Sequence, residues 1–129
     1  MKATLFSKLK TAATGVSNRV YATRAPQGVV SPYIVYQQIS GEDLNTHNGY
    51  ADLMRSRWQV SVYATTAGVA ETVAQQVIVG LRDWVSSPIQ ACFRDGTVDG
   101  YEDDVSLYYV HLDFLVWHTD ETDGEGEGE

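Results

Sequence analysis

The sequence predicts an α+β fold with two layers, in which a mainly antiparallel β-sheet carries two helices on one face. Three long stretches, at 33–40, 54–66 and 105–118, are rich in the β-branched and aromatic residues that favour strands. Two others, at 2–16 and 67–85, repeat apolar residues at helical spacing. The 129 residues suffice for one hydrophobic core but not for two. Two amphipathic helices that cover one side of one sheet satisfy all three observations.

The first predicted helix, at 2–16, has an apolar stripe and a small basic face. The stripe consists of Leu5, Leu9, Ala12 and Val16. A helix of this kind can pack on a sheet or lie on a membrane surface, and the small basic face favours the sheet. The connection that follows contains a predicted short strand at 19–22 and a turn at 26–28.

The strands at 33–40 and 54–66 differ in how clearly their sequences separate two faces. Both faces of the first begin with apolar residues, and Gln37 and Gln38 fall on opposite faces. The second alternates between an apolar set, expected in the core, and a polar set, expected to be accessible. The accessible set includes Arg55, Arg57, Gln59 and Tyr63. A direct polar loop at 41–52 joins the two strands, which predicts an antiparallel pair.

The second helix, at 67–85, has the strongest helical periodicity in the chain. Thr65 or Thr66 is expected to cap its first turn, because a threonine hydroxyl can accept a hydrogen bond from a free backbone N–H. Gly80 lies inside it, where glycine costs about 1 kcal/mol relative to alanine. We therefore expect a close backbone approach at Gly80.

The remainder of the chain is predicted to form strands and then an unstructured tail. A short strand at 89–94 is followed by the turn pair Asp95-Gly96, a second short strand around 98–101, and the long strand at 105–118. The Gly-Glu repeat from Thr119 onward cannot bury apolar area and is expected to be disordered. The sequence thus predicts a single domain at 1–118 and a disordered acidic tail at 119–129.

Charge and cysteine content exclude several classes of protein. The formal net charge is −8, but six of the 17 acidic residues lie in the last eleven positions, so the body, with 11 acidic and 9 basic residues, is nearly neutral. This balance argues against a nucleic-acid-binding surface. A single cysteine, Cys92, excludes an internal disulfide and is expected to be a small buried side chain. Because no apolar run reaches the length of a membrane span, we expect a soluble protein made in the cytoplasm.

No pattern of residues predicts catalysis, a cofactor or a metal ion. Phosphate-binding glycine loops, nucleophile elbows and zinc-binding helices are missing from the sequence. His47, His111 and His118 have no ligand spacing, so solvated or partner-facing side chains are the expected interpretation. The acidic run at 102–104 is interpreted as a solvated turn. We therefore predict a binding or structural protein rather than an enzyme.

One segment of the sequence resembles a known family. The run Pro32-Tyr-Ile-Val-Tyr-Gln-Gln-Ile-Ser-Gly41, preceded by Asn18-Arg-Val-Tyr21 and Ala25-Pro-Gln-Gly28, resembles the small tail completion proteins of long-tailed bacteriophages. The basic start and aromatic-valine alternation of 55–66, and the closing Val116-Trp117, are similar as well. The resemblance extends over about residues 1–118, and the Gly-Glu tail departs from it.

The resemblance implies a tail terminator, a structural virion protein at the tail–neck junction that is assembled in the cytoplasm of the host bacterium. It implies a homo-oligomer, a six-fold ring, that caps the tail tube, ends polymerisation of the tube protein and provides the surface for the head-completion or connector protein. DNA would pass through the lumen without specific binding. No cofactor and no membrane contact are implied. Alternatives are another neck or connector component and, less favoured, a small ligand-binding or enzymatic α+β domain.

Two groups of residues are expected to contact neighbouring proteins. The candidates for subunit or tube contacts, chosen for their expected exposure, are Tyr36, Gln38, Arg55, Arg57, Gln59 and Tyr63. The polar loop at 42–52 is expected to reach an axial neighbour. Its candidate contact residues are Glu42, Asp43, Leu44, Asn45, His47, Tyr50 and Asp52.

Overall fold

The computed structural model describes residues 2–16, 18–43, 53–82, 84–85 and 89–119. The helices are α1 (Lys2–Ala12) and α2 (Ala67–Leu81), and a short 3-10 helix spans Thr14–Val16. The strands are β1 (Val20–Ala22), β2 (Tyr33–Asp43), β3 (Leu53–Ala64), β4 (Ile89–Glu102) and β5 (Leu107–Thr119). No helix within these ranges is long and apolar enough to cross a membrane.

All five strands form one sheet in the order β1-β2-β3-β5-β4. The short β1 runs parallel to β2, and the other three neighbouring pairs are antiparallel. Both helices pack on the same side of this sheet, and β3 lies at its centre. The structure therefore confirms the predicted two-layer α+β fold, including the antiparallel pairing of β2 with β3.

The core lies between the helices and the sheet face that they cover. Its largest fully buried side chain is Trp58 of β3, which is 1% exposed. Alternate residues of β3 and β5 supply most of the sheet side of the core, and the apolar stripes of α1 and α2 supply the helix side. The alternate apolar residues of the strands and the apolar stripes of the helices therefore pack in a single core, as the sequence predicts.

The ends and the crossing point of α2 have local causes. The Thr66 hydroxyl accepts a hydrogen bond from the Val69 N–H at 3.2 Å, which caps the first turn. A β-carbon added at Gly80 would overlap that of Ala12, so the two helices approach closely there, as expected. The predicted end at 85 is wrong. Arg82 adopts an extended conformation with ψ of 129°, which lets Trp84 turn into the core.

The predicted pair of short strands between 89 and 104 is also wrong, because β4 continues through Asp95-Gly96. The register of β4 against β5 shifts between Arg94 and Gly96, so the expected turn is a β-bulge. The chain reverses later, at 103–106, where Ser106 has a φ of 56°. Pairing along the whole of β5 outweighs the local turn preference of Asp-Gly.

The predicted long loop and acidic tail fall largely outside the described residues. Strand β2 extends to Asp43, so the first two residues assigned to the loop contacts belong to the sheet. The remaining loop candidates, Leu44, Asn45, His47, Tyr50 and Asp52, lie outside the described ranges. Strand β5 includes Thr119, and the rest of the tail, 120–129, is likewise outside them.

Candidate interaction surface on the open sheet face

The sheet face opposite α1 and α2, called here the open face, is formed by side chains from every strand. Alternation and register place on it Tyr21 of β1, Tyr33, Val35 and Gln37 of β2, Arg55, Arg57, Gln59, Ser61 and Tyr63 of β3, Phe93 and Val98 of β4, and Tyr109, His111, Asp113, Leu115 and Trp117 of β5. Most are half-buried by one another. The face is therefore already well packed, although no described helix covers it.

An aromatic band crosses one end of the open face. It consists of Tyr21, Tyr33, Tyr63, Tyr109 and His111. The rings of Tyr33 and Tyr63 are stacked with centroids 5.1 Å apart, and those of Tyr109 and His111 are stacked at 4.4 Å. Tyr63 connects the two pairs, because its centroid lies 6.5 Å from that of Tyr109. Cross-strand neighbours on one face bring these rings together and restrict their rotamers.

The centre of the open face is polar and internally paired. The Gln37 Nε2 donates to the Gln59 Oε1 at 3.4 Å. The Arg57 Nη1 donates to the Asp95 Oδ2 at 2.7 Å and lies 3.8 Å from the Asp113 Oδ2. The hydrogen bond to Asp95 raises the pKa of the Arg57 guanidinium above its already high ordinary value. The Asp95-Gly96 pair therefore has two structural effects. It forms the β4 bulge, and the bulge brings Asp95 within hydrogen-bonding distance of Arg57.

The other end of the open face combines a cation with aromatic rings. The Arg55 guanidinium forms an ion pair with Glu42 and lies 5.8 Å from the centre of the Trp117 ring. Phe93 contacts Trp117 edge to face, with centroids 5.5 Å apart. Phe93 itself is 58% exposed. This end thus offers apolar surface to solvent beside a neutralised charge.

A groove of about 690 Å³ opens at the end of the face that carries the aromatic band. Its floor is formed by Tyr33, Val35 and Tyr63, and one wall by the connection at 23–29. The turn after β4, with Glu102 and Asp104, forms the opposite wall. The groove is open to solvent, and polar and apolar residues both line it.

His111 is the titratable group most affected by the packing of the open face. Its Nδ1 lies 2.7 Å from the Ser61 Oγ, so the two form a hydrogen bond. Burial lowers the pKa of His111, and this effect outweighs the opposing influence of Asp113 and Glu102. Folding therefore favours the neutral form of the His111 imidazole over the protonated form.

Two further side chains with possible chemistry, Cys92 and His118, lie away from the open face. Burial raises the pKa of the Cys92 thiol to about 12, which keeps it protonated and unreactive, as its predicted burial implied. The expectation of a solvated or partner-facing His118 is wrong, because this side chain is buried with its Nε2 2.8 Å from the Ser56 Oγ. Within the described ranges no group of three or more His, Cys, Asp or Glu residues is arranged to hold a metal ion.

Comparison with protein families decides the assignment. The family model described as tail completion protein gp17 matches residues 3–119, which include every described helix and strand except the first residue of α1. The chain belongs to the tail completion protein gp17 family. It is therefore a structural protein of the bacteriophage tail, as the motif at 32–41 indicated.

The fold of this tail completion protein is also found in a solved structure. A chain from the "Virion of native gene transfer agent (GTA) particle" matches with a TM-score of 0.67 and 13% sequence identity. The match covers 89% of this chain and 91% of that chain. At this identity the likeness concerns the fold alone. Among curated proteins, none matches the sequence.

Four of the six contact residues proposed for the tail completion protein share the open face, and two do not. Arg55, Arg57, Gln59 and Tyr63 lie together on β3, as predicted. The expected exposure of Tyr36 is wrong: it is 4% exposed and packs against Trp58 on the helix side. Gln38 is exposed but lies on the same side as Tyr36, and its Nε2 donates to the Ser40 carbonyl at 3.3 Å.

Sequence reasoning also missed partners on the open face. Tyr33 is stacked on Tyr63, and Tyr109 and His111 complete the aromatic band. Tyr109 and His111 are two residues apart in the sequence of β5 and therefore share one side of that strand. The missing information was the register between β3 and β5, which sets Tyr63 opposite Tyr109.

Proposed function

We propose that this tail completion protein closes the end of the tail tube as a ring of six copies. The ring stops the addition of tube subunits and provides the surface to which the connector of the filled head docks. One observation carries the proposal: the open face is a broad, aromatic surface that neither α1 nor α2 covers. Family membership supports a place in the tail, and the open face supports contact with another protein there.

The residue types of the open face support protein binding. Tyrosine, tryptophan, phenylalanine and arginine are enriched at the centres of protein interfaces and among the residues that dominate their affinity. On this face Tyr33 and Tyr63 are already stacked and Arg57 is held by Asp95, so that binding restricts little additional freedom of these side chains. We assign contact with the tail tube protein to Arg55, Arg57, Gln59 and Tyr63.

The charge of the face is consistent with a ring that lets DNA pass. Its two arginines are each paired with a carboxylate, Arg55 with Glu42 and Arg57 with Asp95. Affinity for nucleic acid depends on cationic groups that neutralise phosphates and release their counterions. We therefore propose that DNA moves through the ring without specific binding. In this proposal the ring lies at the tail–neck junction of the virion and is assembled in the host cytoplasm.

Tube growth in vitro tests the proposal. Purified tube protein is polymerised with and without the tail completion protein, and tube lengths and ends are measured by electron microscopy. We expect shorter tubes with six-fold density at one end. Tubes of unchanged length, or density distributed along the tube wall, would refute capping.

Two variants locate the contact on the open face. Arg55→Glu with Arg57→Glu reverses its charges, and Tyr63→Ala removes the centre of the aromatic band; both should abolish capping. Arg82→Glu, an exposed residue beyond α2, is the matched control for charge reversal and should cap normally. Thermal unfolding of each variant separates loss of contact from loss of fold. Normal capping by folded open-face variants would contradict the assignment of the tube contact.

A further inference from the structure

We infer that neighbouring copies in the ring join edge to edge, with the β4 edge of one subunit against the α1–β1 edge of the next. The α1–β1 edge consists of α1, β1 and the connection at 23–32. The inference rests on the proposed ring and names the two surfaces that would close it. It leaves Arg55, Arg57, Gln59 and Tyr63 of the open face to the tail tube.

The two edges lie at opposite ends of the sheet, although the connection after β1 also forms one wall of the groove whose other wall is the turn after β4. β1 and β4 are the terminal strands of the sheet order β1-β2-β3-β5-β4. A cyclic ring requires two different complementary patches on each subunit, each used once. The two edges of the sheet are two such patches at different positions on the subunit. A single self-complementary patch would instead produce a closed dimer.

The β4 edge has the properties of a surface that is covered in an assembly. Strand β4 is 14 residues long, and among the described strands it pairs only with β5. Large apolar side chains of β4 are exposed on both sides of this edge, with Phe93 at 58% and Val98 at 61% on the open face and Tyr101 at 47% on the helix side. A long exposed edge with apolar side chains is a template for pairing with another chain.

Charge identifies what covers the β4 edge. Residues 95–104 contain five acidic and no basic side chains, whereas residues 1–41 contain five basic and no acidic ones. Asp95 is used by Arg57, but Asp99 and the acidic residues at 102–104 are exposed and make no salt bridge with any described residue. The most acidic segment of the folded domain therefore lies at one edge of the sheet.

Three of the five basic residues of the first 41 positions, Lys10, Arg19 and Arg24, lie at the opposite edge, whereas Lys8 lies over the Trp84 ring, 5.6 Å from its centre. Lys10 lies over the Phe6 ring, 4.9 Å from its centre, on the side of α1 that faces Tyr36 of β2. Arg24 follows β1 and is exposed. The Arg19 Nε donates to the Pro32 carbonyl at 3.0 Å, which holds its guanidinium beside β1. The α1–β1 edge of a second copy is thus the partner with complementary charge.

The same charges oppose the wrong arrangement. Two copies that met through their β4 edges would bring two acidic segments together, and like charges across an interface are costly. Two α1–β1 edges would likewise bring basic residues together. Head-to-tail contact is the arrangement in which attraction occurs at every interface, and it is the arrangement that closes a ring.

A charge-exchange experiment tests the edge contact. The acid-edge variant carries Asp99→Lys and Asp103→Lys, and the basic-edge variant carries Lys10→Glu and Arg24→Glu. Each alone should need about tenfold or more protein to form rings, alone or on tube ends, because two attractive pairs become repulsive. Mixed in equal amounts, the variants should form rings nearly as the wild type does, because each reversed edge then meets the other. Light scattering and electron microscopy measure the assemblies.

The outcomes separate the edge contact from the ring itself. Arg82→Glu is the control, and unchanged ring formation is expected for it; melting temperatures establish that every variant is folded. A wild-type ring that is insensitive to the edge variants, or variants whose mixture does not recover, would overturn the edge contact and leave capping intact. A wild type that forms no ring, either alone or on tube ends, would overturn both.

Discussion

Gly80→Ala tests whether the helix layer is organised by the contact between α1 and α2. The new β-carbon would overlap that of Ala12 and lie 3.4 Å from the Ala12 Cα. Relief requires a shift of a helix backbone, since no flexible side chain is there to move. Overpacking of this kind costs about 1–3 kcal/mol, offset in part by up to about 1 kcal/mol of helix propensity. We expect a net loss of about 1–2 kcal/mol.

Gly68→Ala is the matched control for this prediction. Gly68 lies in the same helix, but a β-carbon added there has no neighbour within 4 Å. It should leave stability unchanged or raise it slightly. Thermal and urea unfolding measure both variants, with a decrease in melting temperature of about 3–10 °C expected for Gly80→Ala.

A second substitution makes the test specific to the pair. Ala12→Gly removes the atom that the new methyl group would overlap. In the wild type, Ala12→Gly should lower the free energy of unfolding. In the Gly80→Ala background it should raise that free energy by a larger amount, and a double-mutant cycle measures this difference as coupling. Gly80→Ala that is as stable as Gly68→Ala, or zero coupling to Ala12→Gly, would refute the close approach.

Three further predictions concern side chains of the sheet. Tyr36→Ala should lower the free energy of unfolding by about 3–5 kcal/mol because Tyr36 is in the core, whereas Tyr63→Ala should cost less than about 2 kcal/mol; urea unfolding of both measures the difference, and equal losses would contradict the assigned faces. Because the pKa of His111 is lowered by burial, the stabilisation from the neutral ring is complete above about pH 6.5 and is lost as the pH falls toward the lowered pKa. The urea midpoint of the wild type should therefore fall more than that of His111→Gln between about pH 7.5 and 5.5, and parallel curves would exclude this origin. The Cys92 thiol, with its pKa raised to about 12, should react with a thiol reagent at least about a hundredfold more slowly in native than in urea-unfolded protein, as followed by absorbance; similar rates would mean that it is accessible.

The two faces of β3 were predictable from its sequence, whereas those of the neighbouring strand β2 were not. β3 lies between a dry core and an accessible face, so its residues alternate in polarity, and the positions of Arg57 and Tyr63 followed directly. β2 carries apolar residues on both faces at its start. Its orientation is decided by the register that sets Tyr36 opposite Val60, a long-range property that the local sequence does not contain. The erroneous placement of Tyr36 on the accessible face came from this ambiguity.

Local propensity was reliable where no long-range pairing competed with it. Thr66 was a predicted cap, and it is one, because the donor it satisfies is three residues away. Asp95-Gly96 was a predicted turn, but twelve of the fourteen residues of β4 pair with β5, and the strand accommodates the dipeptide as a bulge. The candidate surface was predictable along β3, and its aromatic band, which depends on three strands in register, was not.

The unequal attachment of the two edge strands has a consequence for the subunit outside the virion. β1 is held to β2 by three residue pairs, while β4 and β5 form a long local hairpin. Segments with few pairings open at the lowest free-energy cost, so amide hydrogens of β1 should exchange early and those of the hairpin late. In edge-to-edge assembly, the slowly exchanging β4–β5 hairpin of one copy would contact the rapidly exchanging β1 of the next. Assembly would then hold β1 in place, and the stability of the subunit would rise with its concentration.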